Sequence, residues 1–300
     1  YGMTSAMNFA VSAAARLVLL PRFQLDMVLK AISRYRPKVF PGVPTLYTAI
    51  INAPDVGRYN LRSIEACISG AAPLPLEVQS RFEAMTGGRL CEGYGLTEAS
   101  PVTHANPIQG HRKAGSIGIP FPDTDAMIVD LETGTKRLAP GEVGELAIAG
   151  PQVMQGYWNT PDETALVLRG GWLYTGDMAK MDEDGYFYVV DRKKEMIITG
   201  GLNVFPREVE EALYAHPAVM EAAAIGIPDK YRGEVVKVFV VRKPGAHVAV
   251  DELIEHCKKL IAPFKVPKAV EFREALPKSL VGKILRRALA EEERAKAAGP

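Results

Sequence analysis

Residues 89–100 read RLCEGYGLTEAS, and the fold turns on how that stretch divides. RLCEGY reads as a strand. Gly93 and Gly95 then bracket Tyr94 and free the backbone at the strand end. Thr97 and Glu98 follow with oxygen donors. A simple turn needs no such set of a flat ring, two glycines and two oxygens.

Working upstream, helix and strand alternate. IEACIS (64–69) is a strand, and PLEVQSRFEAM (75–85) is a helix with Pro75 at its first turn and Gly87-Gly88 closing it. Before these, LDMVLKAISRY (25–35) and PTLYTAIINA (44–53) have helical spacing, and KVFPGV (38–43) is a short apolar run. Such alternation predicts an α/β, doubly wound parallel sheet. Ligands of these sheets bind beyond the carboxyl ends of the strands. SGAAPLP (69–75) and GYGLTE (93–98) both sit at such ends and are expected to converge on one crevice.

Composition sets the outer bounds. The 300 residues are 47% hydrophobic and 24% charged, an ordinary globular balance with room for two domains. Lys plus Arg is 36 against 35 for Asp plus Glu, which leaves no basic footprint for nucleic acid and at most peripheral membrane association. Cys67, Cys91 and Cys257 are far apart, as in reduced, cytoplasmic proteins. The opening YGMTSAMNFAVSAAARLVLLPRF has no initiator Met and no basic n-region, and Asn8 and Arg16 interrupt its apolar run. It reads as a buried helix followed by a strand, so the chain is expected to begin inside a domain.

Downstream the pattern changes twice. AMIVDLETG, GEVGELAIAG, GWLYTGD and GYFYVVDR, within residues 115–190, are short alternating strands that predict a small distorted antiparallel barrel. From about residue 194 a compact α+β unit follows. Its first helix opens at Pro206 with Glu208, Glu210 and Glu211 early in it, strands follow, Asp251 is expected to cap ELIEHCKKLI, and a charged helix covers 284–298.

Each candidate for chemistry also has a plain structural use. Tyr94 suits stacking on a base, or covering a strand end. Thr97 and Glu98 suit Mg²⁺ with phosphate oxygens, or the start of a helix. Asp177 in YTGD (174–177) suits a ribose diol, or a turn between strands. Arg192 suits a phosphate or ribose, or the solvated run DRKKE. Lys283, after Gly282 in PKSLVGKILRR (277–287), is a swinging ammonium or a basic loop. Gly200-Gly201 marks a close approach or a turn. His104 and His111 read as a polar loop without metal-ligand spacing, and GYGLTE lacks the Gly-x-Gly-x-x-Gly spacing of a dinucleotide site.

In order, SGAAPLP, EGYGLTEAS, GELAIAGPQVMQGYWNTPDET, GWLYTGD, YVVDRKKEMIITGGLNVFPREVEE and PKSLVGKILRR resemble the adenylate-forming (AMP-binding) superfamily of acyl-CoA synthetases over essentially the whole chain. The resemblance runs closest to long- and medium-chain fatty-acid–CoA ligases. It implies ATP, Mg²⁺ and coenzyme A as cofactors and co-substrate, a fatty acid as partner, and admits a homodimer. It places Tyr94 on adenine, with Gly70, Ala71 and Ala72 as the facing wall and Glu92, Gly93 and Gly95 alongside. Thr97 would contact phosphate and Glu98 would hold Mg²⁺. Asp177 and Arg192 would serve the ribose, and Lys283 would bridge the acid and the α-phosphate. Lys194 would be the hinge between the large domain, 1–192, and a mobile C-terminal domain, 193–300. Gly200 and Gly201 would line the CoA tunnel, and YGMTSAMNF would approach the acyl chain. The family's phosphate loop, Gly/Ser/Thr-rich and ending in Lys, has no counterpart here, so the chain is expected to be the C-terminal part of a ligase. Three alternatives stay open: another adenylating enzyme (an aromatic-acid ligase or a carrier-loading module), a luciferase-like relative, or a non-catalytic nucleotide-binding module.

Overall fold

The chain opens as a π-helical segment, Gly2–Asn8, continued by α1 (Phe9–Ser12). This overturns the expected buried helix and strand. Only Ala10 is buried there, no strand forms, and Phe9, Leu19 and Phe23 are 56%, 79% and 60% exposed. Among the described residues these side chains find no core to enter.

The computed structural model describes residues 1–279 and 284–298. It has two compact units, Tyr1–Thr175 with Ala179–Val189, and Gly176–Met178 with Val190–Pro300.

In the first unit α2 (Leu25–Tyr35) turns Val28, Leu29 and Ile32 inward. Next, α3 (Pro44–Ile51) starts on proline, where the missing N–H would be unbonded anyway. Strand β1 (Ala66–Ser69), helix α4 (Leu76–Thr86) and strand β2 (Arg89–Gly95) follow, α4 closing on Gly87 at φ 77°. Strands β1 and β2 are parallel, with Ser69 opposite Glu92. Tyr47, Ile50, Phe82 and Leu90 fill the core beside them, the Tyr47 and Phe82 rings meeting edge to face at 4.9 Å.

The parallel pattern extends only to two bridges, Val39 to Ala66 and Gly42 to Ser69. Strands β3 (Val102–Ala105) and β4 (Ile119–Pro120) add on antiparallel. Residues 96–101 are too few for the crossover that a parallel neighbour requires.

Five strands form the next sheet: β5 (Asp125–Val129), β6 (Gly144–Ala149), then after α5 (Pro161–Val167) β7 (Leu168–Arg169), β8 (Trp172–Met181) and β9 (Phe187–Arg192). Their order is β5-β6-β8-β7, with β9 also on β8. Among the described residues this sheet is open, which corrects the expected barrel. Closure needs matched strands around a ring, and β7 supplies a two-residue edge.

The second unit carries β10 (Ile197–Thr199), β11 (Leu202–Val204), α6 (Pro206–Tyr214), β12 (Val219–Asp229), β13 (Gly233–Arg242), α7 (Val250–Leu260), β14 (Ala269–Phe272) and α8 (Arg286–Ala298). The sheet order is β11-β10-β13-β12, with β14 parallel to β13. Helices α6 and α7 bury Val209, Leu213, Leu253 and Cys257 against it. Ala249, not Asp251, precedes α7, and Asp251 lies in its first turn.

Candidate functional site

Because β1 and β2 are parallel neighbours, the segments leaving them are brought to one edge: Gly70–Ala72 after Ser69, and Tyr94 two residues beyond Glu92. Gly70 lies under Tyr1, whose ring atom Cε2 would stand 3.2 Å from an added Cβ. The Tyr1 hydroxyl donates to the Ile68 and Gly42 carbonyls at 2.7 and 3.1 Å. Ala71 is left-handed at φ 69°, a conformation non-glycine residues adopt at a cost.

Tyr94 is half-buried, packs on the cluster of Ile117, Leu146 and Phe187, and meets the His104 ring edge to face at 6.0 Å. The two flanking glycines have local causes. An added Cβ on Gly95 would lie 1.8 Å from the Pro101 carbonyl oxygen, and one on Gly93 would lie 3.1 Å from Ile68 Cγ2.

His104 corrects the polar-loop reading. It sits in β3, fully buried, with Nδ1 2.9 Å from Thr103 Oγ1 and Nε2 without a partner among the described residues. Burial pulls its pKa down to about 3, so the ring stays neutral.

Thr97 and Glu98 fall in one 3-10 turn, Thr97–Ala99, pinned by the buried Ala99. Neither side chain caps it. One loop instead grips Glu98 twice: the Met154 N–H donates to its carbonyl at 2.7 Å, and the Tyr157 hydroxyl donates to its Oε1 at 2.8 Å. Burial and the facing Glu98 carboxylate push the Tyr157 phenol up to about 12, so it keeps the proton it donates. Sequence reasoning assigned Tyr157 no role; the one signal was its place in GPQVMQGYWNT. Among the described residues no group of three or more His, Cys, Asp or Glu could hold a metal.

In the second unit Asp177 is a strand residue of β8, where Gly176 at φ 70° breaks the local geometry. Asp177 is buried and lies 3.0 Å from Arg192 Nε, so these two predicted residues do meet. Lys194 occupies the exposed 3-10 turn Lys193–Glu195. On either side of it, Asp191 and Glu195 converge on Arg286. Arg286 forms two bonds to Glu210, Nε to Oε1 at 2.8 Å and Nη2 to Oε2 at 2.5 Å, and its Nη1 lies 3.3 Å from Asp191. Asp191 also accepts the Arg192 and Arg207 N–H groups, both at 2.7 Å. Burial nonetheless raises its pKa, against the opposing pull of Arg286.

Gly200 and Gly201, at φ 58° and 78°, make the exposed β10–β11 turn, where an added Cβ would meet nothing within 4 Å. Their requirement is conformational. Lys283 lies outside the described residues.

The AMP-binding enzyme family profile matches residues 1–158, and the profile of the AMP-binding enzyme C-terminal domain matches residues 208–283. A long-chain-fatty-acid–CoA ligase of Bacillus subtilis is 56% identical over 98% of this chain and 52% of its own length. A feruloyl-CoA synthase of Amycolatopsis is 42% identical over 90% of this chain and 55% of its own length. The chain thus spans about half the length of the curated relatives it matches. Among solved structures, ATP-bound MatB from Rhodopseudomonas palustris superposes with a TM-score of 0.90 at 36% identity, covering 97% of this chain and 57% of that one. The anthranilate CoA ligase AuaEII with anthranoyl-AMP reaches 0.91 at 32% identity, covering 99% and 58%. The chain belongs to the AMP-binding enzyme family.

Proposed function

We propose that the protein carrying this chain activates a medium- or long-chain fatty acid with ATP, through an acyl-adenylate, to its coenzyme A thioester. The observation that carries this is the 56% identity with a long-chain-fatty-acid–CoA ligase along 293 residues. The site is consistent with it. Tyr94 and Gly70–Ala72 leave adjacent parallel strands at the edge where nucleotides bind in such sheets. In this reading Tyr94 stacks on adenine, beside Glu92, and Thr97 faces phosphate. Asp177 accepts the ribose hydroxyls, steadied by Arg192. Lys283 stabilises charge that develops between the carboxylate and the α-phosphate.

Glu98 suits Mg²⁺. Its Oε2 makes no hydrogen bond or ion pair among the described residues, and no group of three or more His, Cys, Asp or Glu that could hold a metal lies among them, so the remaining donors would be phosphate and water oxygens, as that ion prefers. When bound, the ion neutralises phosphate charge as pyrophosphate leaves. The domain division is 1–192 and 193–300, with Lys194 as pivot and the Gly200-Gly201 turn lining the CoA passage. Three free, buried cysteines support a reducing, cytoplasmic setting, and no described helix is long and apolar enough to cross a membrane.

The experiment compares acids at saturating CoA in the full-length protein. Octanoate and longer acids are expected to outrun acetate, benzoate and ferulate. The feruloyl-CoA synthase match favours aromatic acids as the second reading, and a preference for ferulate would establish it.

A further inference from the structure

The stretch GPQVMQGYWNT (150–160) matched the family pattern without any of its residues being given a task. Its geometry supplies one. The loop reaches back to the 3-10 turn at Thr97–Ala99 and takes hold of Glu98 at both backbone and side chain, through Met154 and Tyr157.

Tyr157 is itself fixed. Its N–H donates to Thr164 Oγ1 at 2.9 Å, and Thr164 in turn donates to the Thr160 carbonyl at 2.9 Å. Residue 156 must be glycine for this to happen. Its φ is 152°, and an added Cβ would lie 2.8 Å from Thr164 Cγ2. Val153 and Met154 pack on the cluster of Ile117, Leu146 and Phe187, which ties the loop to the core. Rigid support thus runs from α5 through Thr164 and Tyr157 to one oxygen of Glu98.

We propose that Tyr157 is a positioning residue that holds Oε1 of Glu98 so that Oε2 meets the cation on the nucleotide phosphates in one orientation. This rests on the reading above that Glu98 is the Mg²⁺ carboxylate. A carboxylate on a freely rotating stem must lose that freedom when the ion binds. A hydrogen bond already made to its other oxygen removes that loss beforehand, and such supporting partners typically contribute about 10- to 100-fold in metal affinity or activity. The hydroxyl is a donor and Glu98 a charged acceptor, which places the bond among the stronger class.

The test is calorimetric, on the full-length protein without fatty acid. ATP affinity is measured in EDTA and again with Mg²⁺, and the ratio gives the affinity gained from the ion. Tyr157→Phe is expected to cut that gain about tenfold while leaving ATP affinity in EDTA unchanged. Thr164→Val removes the acceptor of the Tyr157 N–H and is expected to cut the gain less, in the same direction. If Tyr157→Phe fails to fold, this second variant decides. Glu98→Gln is the control. An unchanged gain in the Tyr157 and Thr164 variants, with the gain lost in Glu98→Gln, overturns the positioning role alone. An unchanged gain in Glu98→Gln overturns the premise and the inference together. Equal losses with and without the ion in Tyr157→Phe reduce the residue to a structural one and also overturn the proposal.

Discussion

At position 104 a histidine occupies a site that water does not reach, and its Nε2 has no partner among the described residues. Its folded pKa of about 3 lies below the ordinary value of 6.5. The unfolded chain therefore takes the proton first. The stability due to the neutral ring is complete above pH 6.5 and is lost as pH falls from there towards 3. Between pH 7.5 and 5.5 the loss amounts to about 1.4 kcal/mol. His104→Phe should remove that dependence, and thermal melts of the 300-residue chain at the two pH values check it. An equal fall in both proteins would place the acid sensitivity elsewhere. Single residues were legible from sequence where their role is local. Pro44, Gly87 and Pro206 each mark a helix boundary through their own backbone chemistry. His104 was not legible, because its polar neighbours Thr103 and Asn106 are buried with it, and only tertiary packing reveals that.

Between elements, one electrostatic knot joins the end of β9, the 3-10 turn after it, α6 and the first residue of α8. Arg286 is the common partner of Asp191, Glu195 and Glu210. Its side chain is 20% exposed, and those of Asp191 and Glu210 are 2% and 10% exposed. Replacing it with Met would leave buried carboxylates facing one another without a cation. Breaking a buried pair in this way costs about 3–5 kcal/mol. Urea unfolding of Arg286→Met should show this loss in the second unit, and adding Glu210→Gln should recover part of it. Non-additive recovery identifies a coupled network, whereas strictly additive losses would refute it. No sequence pattern announces this knot, since Arg286 and Glu210 are 76 positions apart. The same holds for Tyr157 and Glu98, separated by 59 positions. Helices α2, α3, α4, α6, α7 and α8 and most strands are legible because their spacing repeats locally, whereas α5 lies in a stretch that reads as short strands. The runs 38–43 and 64–69 and the strand from Arg89 are parallel neighbours as their alternation with helices implies, whereas β3 carries no such signal and returns antiparallel. The short link 96–101 was the available sign that β3 would return antiparallel.

For the whole molecule, the proposed reading makes the stretch near Lys194 the consequential boundary. Apart from Gly176–Met178, the second unit begins at Val190, and Lys194 stands in an exposed turn a few residues later. In the proposed mechanism that turn lets one C-terminal unit serve two half-reactions, presenting Lys283 for adenylation and the Gly200-Gly201 turn for transfer to CoA. The two faces are then separable by mutation in the full-length protein. Lys283→Ala removes the ammonium that stabilises developing charge, and should lower acyl-adenylate formation by about 10²-fold or more. Thioester formation from supplied acyl-adenylate should persist, because Lys283 has no part in that step. Lys194→Pro should do the reverse. Proline holds φ near −65° and cannot take up the large dihedral change that a domain rotation demands. Adenylate should accumulate without passing to CoA. Pyrophosphate release followed separately from thioester formation distinguishes these outcomes. If each substitution slows both half-reactions to the same degree, then the pivot does not divide the chemistry, and Lys194 is only a surface residue of the turn.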